Sequence, residues 1–437
     1  MNLTFCVDET PLEPAVTVAR SFRSRITCDS STSSLVQSRY LLFTALCDFV
    51  GIVNFVNCIQ TSEMSVHTIV VIGASYGGLP VAHSLLKDVL PTSGKDYKLV
   101  LINPSEEFYW KVGAPRAITR PDMLPLEKAL LNFVPTFSKY GDKFQFIKGK
   151  VTALDPTSRT IEVNTGDKIT YDQVVIASGT YFDNDIWSTS RGTEALRNQV
   201  QDLHARLPNA QSIMIAGGGP CGVETAGELG EAYGGKKEII LLSGSDRLLN
   251  RLKNQAPSKL SQQYLEKMGV TVTHKVQVKS TATQGDKTLV TLSNGETRTV
   301  DVYIGAVGDK PNSAFVPKEW LTERGQIKTD ANTLRVEGAT GVYCVGSVAS
   351  YSDGSILDTK LGYKAAVESV KLDLNGESKC SSVSDYDEKL TYPRCWRTNQ
   401  ECIQKDPGRD GLRTSRFAGW CWSSLWMEAT QLCDQDG

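Results

Sequence analysis

Two glycine-rich turns are the parts of this sequence whose residue types and spacing indicate chemistry. The first is Gly73-Ala74-Ser75-Tyr76-Gly77-Gly78, and the second is Gly217-Gly218-Gly219-Pro220-Cys221-Gly222. Each follows a short apolar run and precedes a segment with helical periodicity, as in a strand–turn–helix unit. Small residues at this spacing allow a tight turn, close approach of a pyrophosphate and close packing of the helix on the strand. The sequence therefore predicts two dinucleotide sites, against the alternative of two such turns without a ligand.

The two turns differ in how well they match this requirement. The second has glycine at all three critical positions, Gly217, Gly219 and Gly222. The first has Gly73 and Gly78, but Ser75 occupies the position of closest approach. Serine is small enough for a pyrophosphate to come near, although it is less suited than glycine. At both turns we expect the phosphates to lie on free N–H groups at the start of the following helix.

The residue that contacts the adenosine ribose is expected at the end of the next strand. Asn103 follows the apolar run 98–102, and Ser243 follows the run 238–242. Neither is the Asp or Glu that usually binds a ribose 2′-hydroxyl. Asn103 can still hydrogen-bond a ribose. Ser243 brings no charge that would repel a 2′-phosphate, and Arg247 could pair with one, so the sequence is compatible with NADPH as well as NADH. The alternative for Arg247 is a solvated loop charge.

Composition excludes several classes of function. The chain has 437 residues, of which 40% are hydrophobic, enough for two or three domains, and its net charge of −2 gives no indication of nucleic-acid binding. Its four histidines are not paired at ligand spacing, so no metal site is expected. The eleven cysteines include no CxxC pair, so a dithiol relay is not expected either.

Both ends of the chain differ in character from its middle. Residues 1–65 are an extension of uncertain role, in which residues 41–59 are mostly apolar but interrupted by Asp48. Three interpretations compete: a membrane anchor or targeting segment, a folded accessory helix, or sequence upstream of the natural start. Residues 376–437 are rich in cysteine and tryptophan, show no sustained periodicity, and receive no assignment.

The middle of the chain predicts an α/β fold with two Rossmann-like domains, one inserted in the other. The runs 172–179, 301–308 and 341–346 are strand-like and end in small residues, as strands beside a nucleotide do. The predicted boundaries are 66–183 for the first part of a flavin domain, 184–300 for an inserted nicotinamide domain, and 301–375 for the second part of the flavin domain.

With these motifs in place, residues 66–375 resemble the flavoproteins with two dinucleotide-binding domains and a glutathione-reductase-like fold. The resemblance is greatest to the apoptosis-inducing-factor-like branch, of the ferroptosis-suppressor type and its fungal counterparts. The segments that carry it are Asn103–Arg116, Ala177-Ser178-Gly179, the second glycine turn with Glu224, and 358–366.

This resemblance implies FAD at the first turn and NADH or NADPH at the second. Lys360 matches the family lysine beside the flavin ring, where a cation would stabilise the reduced flavin, and is the expected catalytic residue. Its alternative role is that of a surface lysine. Glu224 matches a family glutamate beside the nicotinamide helix, and otherwise serves that helix's dipole. The implied cofactor-binding residues are Gly73, Ser75, Gly77, Gly78, Asn103, Arg116, Ala177, Gly179, Gly217, Gly219, Gly222, Glu224, Arg247, Gly346 and Ser347.

Two features depart from the family pattern. The third family motif ends in Gly-Asp, and here it reads Gly346-Ser347. A serine can donate a hydrogen bond to a phosphate but adds no charge, which puts the affinity for FAD in question. The family also closes with a C-terminal segment that covers the flavin, and nothing after residue 376 resembles it.

The sequence thus predicts an FAD-dependent NAD(P)H oxidoreductase that passes hydride through the flavin to a quinone-like or other small aromatic acceptor, without a redox-active disulfide. One alternative is a flavin-dependent tailoring oxidase or monooxygenase of fungal specialised metabolism. Another is a catalytically impaired nucleotide-binding or death-effector relative. The expected location is the cytoplasm or the periphery of a membrane, mitochondrial or lipid-droplet, with residues 41–59 as the candidate contact. The sequence does not specify an oligomeric state.

Overall fold

The fold is built on two parallel sheets, each of which begins at one of the glycine-rich turns. The computed structural model describes residues 66–252 and 254–376. Its strands, in chain order, are β1 (His67–Ile72), β2 (Tyr97–Asn103), β3 (Glu107–Tyr109), β4 (Leu130–Asn132), β5 (Phe144–Lys148), β6 (Val151–Asp155), β7 (Thr160–Val163), β8 (Lys168–Thr170), β9 (Gln173–Ile176), β10 (Thr180–Tyr181), β11 (Ser212–Ala216), β12 (Glu238–Ser243), β13 (Val270–His274), β14 (Val278–Gln284), β15 (Lys287–Leu292), β16 (Thr297–Val300), β17 (Val302–Gly305), β18 (Lys310–Pro311) and β19 (Val342–Cys344). Its α-helices are α1 (Gly78–Ser84), α2 (Ala114–Thr119), α3 (Val134–Phe137), α4 (Thr193–Arg206), α5 (Pro220–Tyr233), α6 (Ala256–Lys267) and α7 (Ile356–Asn375).

The first sheet has five parallel strands in the order β19-β9-β1-β2-β5. Its central strands are apolar on both faces because helices and loops cover both sides, and Ile69, Val70 and Val71 have no exposed surface. The strand order changes direction between β1 and β9. In open α/β sheets a ligand binds at such a switch point, beyond the carboxyl ends of the strands. The first glycine turn lies at this point.

The second sheet repeats the arrangement with four parallel strands in the order β13-β12-β11-β17. Its switch point lies between β11 and β17, where the second glycine turn follows β11. Strand β17 pairs along its length with β11, from Val302 opposite Ile213 to Gly305 opposite Ala216. The second sheet therefore extends to Gly305, whereas the sequence-based boundary at residue 300 assigned this strand to the flavin domain. The predicted α/β fold with two Rossmann-like units is confirmed.

The chain passes between the two sheets through a short antiparallel pair. Thr180 of β10 lies opposite Pro311 of β18, and Tyr181 lies opposite Lys310. Next to this pair, the Ser178 hydroxyl donates a hydrogen bond of 2.7 Å to the carbonyl of Asn312. The outgoing and returning strands are thus bonded to each other.

Three smaller antiparallel sheets complete the strands: β3-β4, β6-β7-β8 and β14-β15-β16.

The helix after the first turn is α-helical only from Gly78 to Ser84, and continues as a π-helical turn over Leu85–Val89. Its predicted apolar stripe is buried, including Val81, Leu85 and Leu86. Within residues 66–252 and 254–376, no helix has the length and apolar character needed to cross a bilayer. The interpretations of residues 1–65, including the candidate membrane contact at 41–59, and of the tail from residue 377 lie outside the described residues.

Candidate functional site

The first glycine turn leaves no space for side chains at its two critical glycines. Gly73 has φ +103°, and a Cβ added there would lie 2.4 Å from the carbonyl oxygen of Ala177. A Cβ on Gly78 would lie 1.7 Å from the carbonyl oxygen of Gly73. Strand β1 and the start of α1 are therefore packed directly together, and the turn presents its backbone to the cleft beyond the sheet.

Predicted site residues from two neighbouring strands meet this turn. A Cβ on Gly77 would lie 3.5 Å from the Cβ of Ala177, at the end of β9. Gly179 has φ +65°, and a Cβ there would lie 3.6 Å from the hydroxyl of Ser347, which follows β19. That hydroxyl is 3.4 Å from the hydroxyl of Thr180. The structure thus brings the first turn, the end of β9 and the Gly346-Ser347 motif to one edge of the first sheet.

The first turn of helix α7 closes this edge. Thr359 lies against two glycines of the site, with its Cγ2 3.5 Å from a Cβ built on Gly77 and its Oγ1 3.5 Å from one built on Gly346. Lys360, the predicted catalytic residue, is the next residue along and is half-buried. The helix begins with a capping box formed by Ser355 and Asp358, which fixes the position of this turn.

Asn103 locks the end of β2 to the first glycine turn. Its Oδ1 accepts a hydrogen bond of 2.9 Å from the backbone N–H of Ala74, and its Nδ2 donates one of 2.7 Å to the carbonyl of Ser105. The side chain is 9% exposed, so it reaches the cleft with little free surface. Its first task is therefore to shape the turn, and a ribose contact would use its remaining hydrogen-bonding capacity.

An open cleft runs along this edge of the sheet. Its walls include Gly73, Ser75 and Asn103 on one side, and Ala177, Lys111 and Asn312 around the remainder. No carboxylate is among its lining residues within the described part of the chain. An anionic ligand would therefore meet backbone N–H groups, hydroxyls and cations, but no repelling charge.

The second glycine turn repeats the geometry of the first. Gly217 has φ +131°, and a Cβ there would lie 2.4 Å from the carbonyl oxygen of Ala306. A Cβ on Gly222 would lie 1.8 Å from the carbonyl oxygen of Gly217. Gly219 is different, because no atom lies within 4 Å of a Cβ built on it. This glycine faces open space at the start of α5, as the position of closest approach to a pyrophosphate requires.

The segment from β3 to the end of α2 contacts the first glycine turn and the helix that follows the second turn. On the side of the first turn, the ring of Tyr76 packs edge-on against Phe108, with ring centroids 5.0 Å apart. On the side of the second turn, Ala114 and Ala117 belong to the same buried cluster as Ala226 of α5. The predicted site residue Arg116 donates hydrogen bonds to the carboxylate of Glu228 on α5. Part of its hydrogen-bonding capacity is therefore used within the protein. The segment thus lies beside the first turn and packs on α5, which begins at the second turn.

Glu224 and Cys221 lie in the first turns of α5, and both have altered acidity. Burial, together with the charge of Glu228, raises the pKa of Glu224 to about 7. Burial, together with Glu224, raises the pKa of the Cys221 thiol to about 11. Glu224 has no ion pair among the described residues. A carboxyl of this kind changes its charge near neutral pH, while the thiol stays protonated.

Arg247 stabilises the loop that directly follows it in the chain. Its guanidinium donates hydrogen bonds to the carbonyls of Leu249, Asn250 and Leu252. The N–H of Leu249 in turn donates to the carbonyl of Gly218 at 2.7 Å. The arginine thus holds a loop against the second turn. The Ser243 hydroxyl accepts a hydrogen bond from the N–H of Ser245, and its side chain is 2% exposed, so it too is structural in this conformation.

Sequence reasoning missed Lys111, Thr359 and Glu228. Lys111 was recognisable as a charge inside the aromatic and apolar run from Phe108 to Val112. The contacts of Thr359 and Glu228 join parts of the chain that are distant in sequence, and no local pattern signals them. No cluster of potential metal ligands occurs within the part of the chain that the structure describes.

The residues present at both turns fit dinucleotides. At each turn the first and last glycines, Gly73 and Gly78 or Gly217 and Gly222, cannot be replaced without a backbone clash. At each turn a helix also begins with free N–H groups, and the adjoining strand ends in small residues. In addition, the first site has the cleft described above, and the second site has open space at Gly219. FAD at the first turn and NADH or NADPH at the second are therefore compatible with the geometry.

Comparison with known proteins agrees with this description. The family model described as pyridine nucleotide-disulphide oxidoreductase matches residues 67–371. Oxidoreductase ptaL of Pestalotiopsis fici is 37% identical over 288 residues, covering 64% of this chain and 76% of that protein. Ferroptosis suppressor protein 1 of Taeniopygia guttata is 26% identical over 312 residues, covering 68% of this chain and 77% of that protein. The solved sulfide:quinone oxidoreductase of Aquifex aeolicus aligns with a TM-score of 0.59 and 18% identity, covering 71% of this chain and 77% of that chain, which shows a shared fold.

Proposed function

The chain belongs to the pyridine nucleotide-disulphide oxidoreductase family and is an FAD-dependent NAD(P)H oxidoreductase, and we propose that it delivers the electrons to a quinone-like or other small aromatic acceptor. The resemblance to the apoptosis-inducing-factor-like branch is confirmed by its relatives, among them a ferroptosis suppressor protein. The single observation that carries the proposal is the common segment from Phe108 to Ala117, which contacts the first glycine turn and packs on helix α5, the helix that follows the second turn. We propose that nucleotides bound at the two turns meet beside this segment.

FAD would be held by the edge of the first sheet. The N–H groups at the start of α1 would face the phosphates, with Ser75 beside them. Ala177 and Gly179 have small or absent side chains, so their backbone could approach the cofactor closely. Ser347 takes the position where the family has an aspartate. Its hydroxyl, near that of Thr180, supplies a neutral hydrogen-bond partner instead of a charge. The affinity for FAD then depends on shape and backbone donors.

NADH or NADPH would be held at the second turn. Gly219 leaves the space that a pyrophosphate needs, and the N-terminus of α5 supplies donors. Arg247 keeps the loop from Leu249 to Leu252 in place against Gly218. We therefore propose that Arg247 supports both nicotinamide cofactors by holding this loop.

FAD, when bound, accepts a hydride from the nicotinamide and supplies two electrons to the acceptor. The protein contributes alignment and electrostatics. We propose that Lys360, which follows Thr359 in the first turns of α7, supplies a positive charge that stabilises the reduced flavin. Glu224 brings a carboxyl to the nicotinamide side, where an ionised form would favour the positive ring of the oxidised cofactor.

The described residues contain no pair of cysteines that could act as a redox-active dithiol. Cys221 lies on helix α5 and Cys344 on strand β19 of the first sheet, and both are free thiols. Burial raises the pKa of Cys344 to about 12, so neither thiol is a ready nucleophile at neutral pH. We therefore propose direct transfer of the electrons from flavin to a diffusing acceptor.

The test uses the full chain, purified as a folded protein. We expect a yellow flavin spectrum that is bleached anaerobically by NADH or NADPH and restored by a small quinone, with steady turnover. Flavin that is reduced but not reoxidised by any quinone would refute the acceptor class and leave the family assignment intact. Protein without bound flavin, and without turnover after FAD is added, would refute the whole proposal.

A tailoring oxidase is the second candidate, because the fungal oxidoreductase is more similar to this chain than the ferroptosis suppressor protein, at 37% against 26% identity. The two functions separate by the fate of oxygen. Incorporation of labelled oxygen into an organic product favours the monooxygenase, while peroxide without product labelling favours an oxidase or quinone reductase. Binding of NADH without flavin reduction would instead favour a catalytically impaired relative.

A further inference from the structure

The chain that follows β13 lies against the loop that follows β12. Ser243, at the end of β12, pairs in register with His274, at the end of β13. Directly beyond the strands, the N–H of Lys275 donates a hydrogen bond of 3.0 Å to the carbonyl of Ser245. In a dinucleotide-binding sheet the adenosine ribose is contacted from the end of the strand that follows the glycine turn and its helix, which here is β12. The residues after β13 therefore border the ribose position of the second site.

The end of β12 has no carboxylate, unlike the end of this strand in a site specific for NAD. Ser243 occupies the position, and its hydroxyl is used inside the loop, where it accepts from the N–H of Ser245 and donates to the carbonyl of Arg247. Asp246 is the only acidic residue from 243 to 247, and it is exposed three residues beyond the strand end. The position that binds a ribose 2′-hydroxyl in NAD sites thus carries no charge that repels a 2′-phosphate.

The side chain of Gln277 lies beside Gly244, the residue directly after Ser243. A Cβ built on Gly244 would lie 2.9 Å from the Cγ of Gln277 and 3.0 Å from its Nε2. Gln277 is exposed, and its side-chain amide forms no hydrogen bond within residues 66–252 and 254–376. An unused amide donor therefore lies next to the ribose position, where it can bond a hydroxyl or a phosphate.

Lys275 adds a positive charge next to the same loop. Its backbone is left-handed, with φ +59°, and is bonded to Ser245 as described above. The residue is exposed and forms no ion pair with any residue that the structure describes. Arg247, by contrast, donates to three backbone carbonyls. A lysine carries a compact charge on a flexible four-carbon stem, so a phosphate bound beside Ser245 is within its reach.

We propose that Lys275 and Gln277 form the subsite for the 2′-phosphate of NADPH, and that NADPH is the preferred reductant. This inference rests on the proposed function, because it requires a nicotinamide dinucleotide at the second turn. It assigns the cation of the subsite to the chain after β13 instead of to Arg247. The amide of Gln277 can bond either a 2′-hydroxyl or a 2′-phosphate, whereas the ammonium favours the phosphate, so Lys275 determines the preference.

The experiment compares NADP⁺ with NAD⁺, which differ only in the 2′-phosphate and do not reduce the oxidised flavin. Titration calorimetry on the flavin-loaded full chain gives both dissociation constants. We expect wild type to bind NADP⁺ at least about tenfold more tightly than NAD⁺, because a charged hydrogen bond to the phosphate is gained. The ratio of kcat/KM for NADPH over NADH should be similar, and added salt should weaken only the binding of NADP⁺.

Lys275→Asn should remove most of this difference and leave the affinity for NAD⁺ unchanged. Asparagine is the neutral replacement of choice, since it tolerates a positive φ. Lys275→Arg should keep the preference, and Gln277→Leu should weaken both dinucleotides. Lys267→Asn is the matched control, because this exposed lysine ends α6 just before β13 and so lies at the opposite edge of the sheet. It should change neither affinity.

Equal affinity of wild type for NADP⁺ and NAD⁺ would overturn the inference. An equal loss of both affinities in Lys275→Asn would also overturn it, because that result indicates a structural role. Lys275→Gln repeats the test if the asparagine variant does not fold. Unchanged affinities in Gln277→Leu would exclude the amide from the subsite. Wild-type protein that holds no flavin, or that binds neither dinucleotide, would refute the proposed function itself.

Discussion

Arg116 on α2 and Glu228 on α5 form a two-point ion pair. The Nε of Arg116 lies 3.0 and 3.1 Å from the two carboxylate oxygens of Glu228, and its Nη2 lies 2.8 Å from Oε1. The side chains are 30% and 14% exposed, so solvent screens this pair less than it screens a surface pair. The pair joins the segment beside the first glycine turn to the helix of the second. It therefore contributes to the relative placement of α2 and α5.

A double-mutant cycle with Arg116→Gln and Glu228→Gln should reveal this coupling. We expect an interaction free energy of about 1–2 kcal/mol, between the values typical of exposed and of buried pairs. Urea denaturation at 25 °C measures it. The exposed pair Lys168–Glu162 is the control and should couple by less than about 0.5 kcal/mol. Equal coupling in the two cycles would show that the Arg116–Glu228 pair has no special role.

Gly219→Ala should impair cofactor binding without affecting folding. The backbone at Gly219 has φ −81° and ψ −179°, which alanine adopts readily, and the added methyl meets no protein atom within 4 Å. We expect the melting temperature to change little and the KM for NADH or NADPH to rise at least about tenfold, because the methyl occupies the space needed by the pyrophosphate.

Gly227→Ala is the control for this substitution. Gly227 lies in the middle of the same helix and also faces open space. Alanine should stabilise the helix by about 0.5–1 kcal/mol and leave KM unchanged. If Gly219→Ala behaves like Gly227→Ala, the second turn does not bind the pyrophosphate.

Much of the fold could be predicted from local sequence, because each glycine turn depends on close contacts within one strand–turn–helix unit. The assignment of β17 could not, since Val302–Gly305 and the strands of the first sheet have the same apolar pattern, and only pairing decides between sheets. The structural roles of Asn103 and Arg247 could not be predicted from the sequence either. Both were predicted to bind a ligand, yet in the structure their side chains form hydrogen bonds with the protein backbone. Lys111 escaped notice because the cleft that it lines forms only when distant parts of the chain meet.

Glu224→Gln should stabilise the protein in a pH-dependent way. The pKa of Glu224 is about 7 in the folded protein against 4.5 for an unperturbed glutamate. Between these values the unfolded chain loses the proton that the native state retains, so the carboxyl reduces stability as the pH rises. The neutral glutamine avoids this effect. We expect the variant to be more stable by at most about 3 kcal/mol above pH 7 and to match wild type below about pH 4.5.

Thermal or urea unfolding across pH 4–8 tests this prediction. Glu228→Gln offers an independent check, because removing the neighbouring charge should lower the pKa of Glu224 and narrow the pH range of the effect. A constant difference between Glu224→Gln and wild type at every pH would show that Glu224 does not titrate in this range.

Asp301→Asn should destabilise the second sheet. The Oδ2 of Asp301 accepts hydrogen bonds of 2.9 Å from the N–H groups of Gln211 and Ser212, and its Oδ1 lies 2.8 Å from Lys287. Lys287 and these N–H groups hold the pKa of Asp301 well below its usual range. We expect a loss of about 1–3 kcal/mol at neutral pH, because an amide has no negative charge and only one acceptor oxygen.

The pH dependence of this variant has the opposite sign to that of Glu224→Gln. A depressed pKa gives stability that is present above the unfolded value, near 3.8, and is lost as the pH falls. The difference between Asp301→Asn and wild type should therefore shrink in acid. Unfolding measured at pH 7 and at about pH 3 distinguishes this from a difference that stays constant.

The antiparallel pairing of β10 with β18 has a consequence for how this architecture can be rebuilt. Because Tyr181 lies opposite Lys310, the whole stretch between them begins and ends at the same place. A few residues joining those two positions would close the remaining chain without moving any strand of the first sheet. The second nucleotide unit thus enters and leaves the first sheet at a single seam, and a related unit exchanged for it would also have to reproduce the packing of α5 on Ala114 and Ala117.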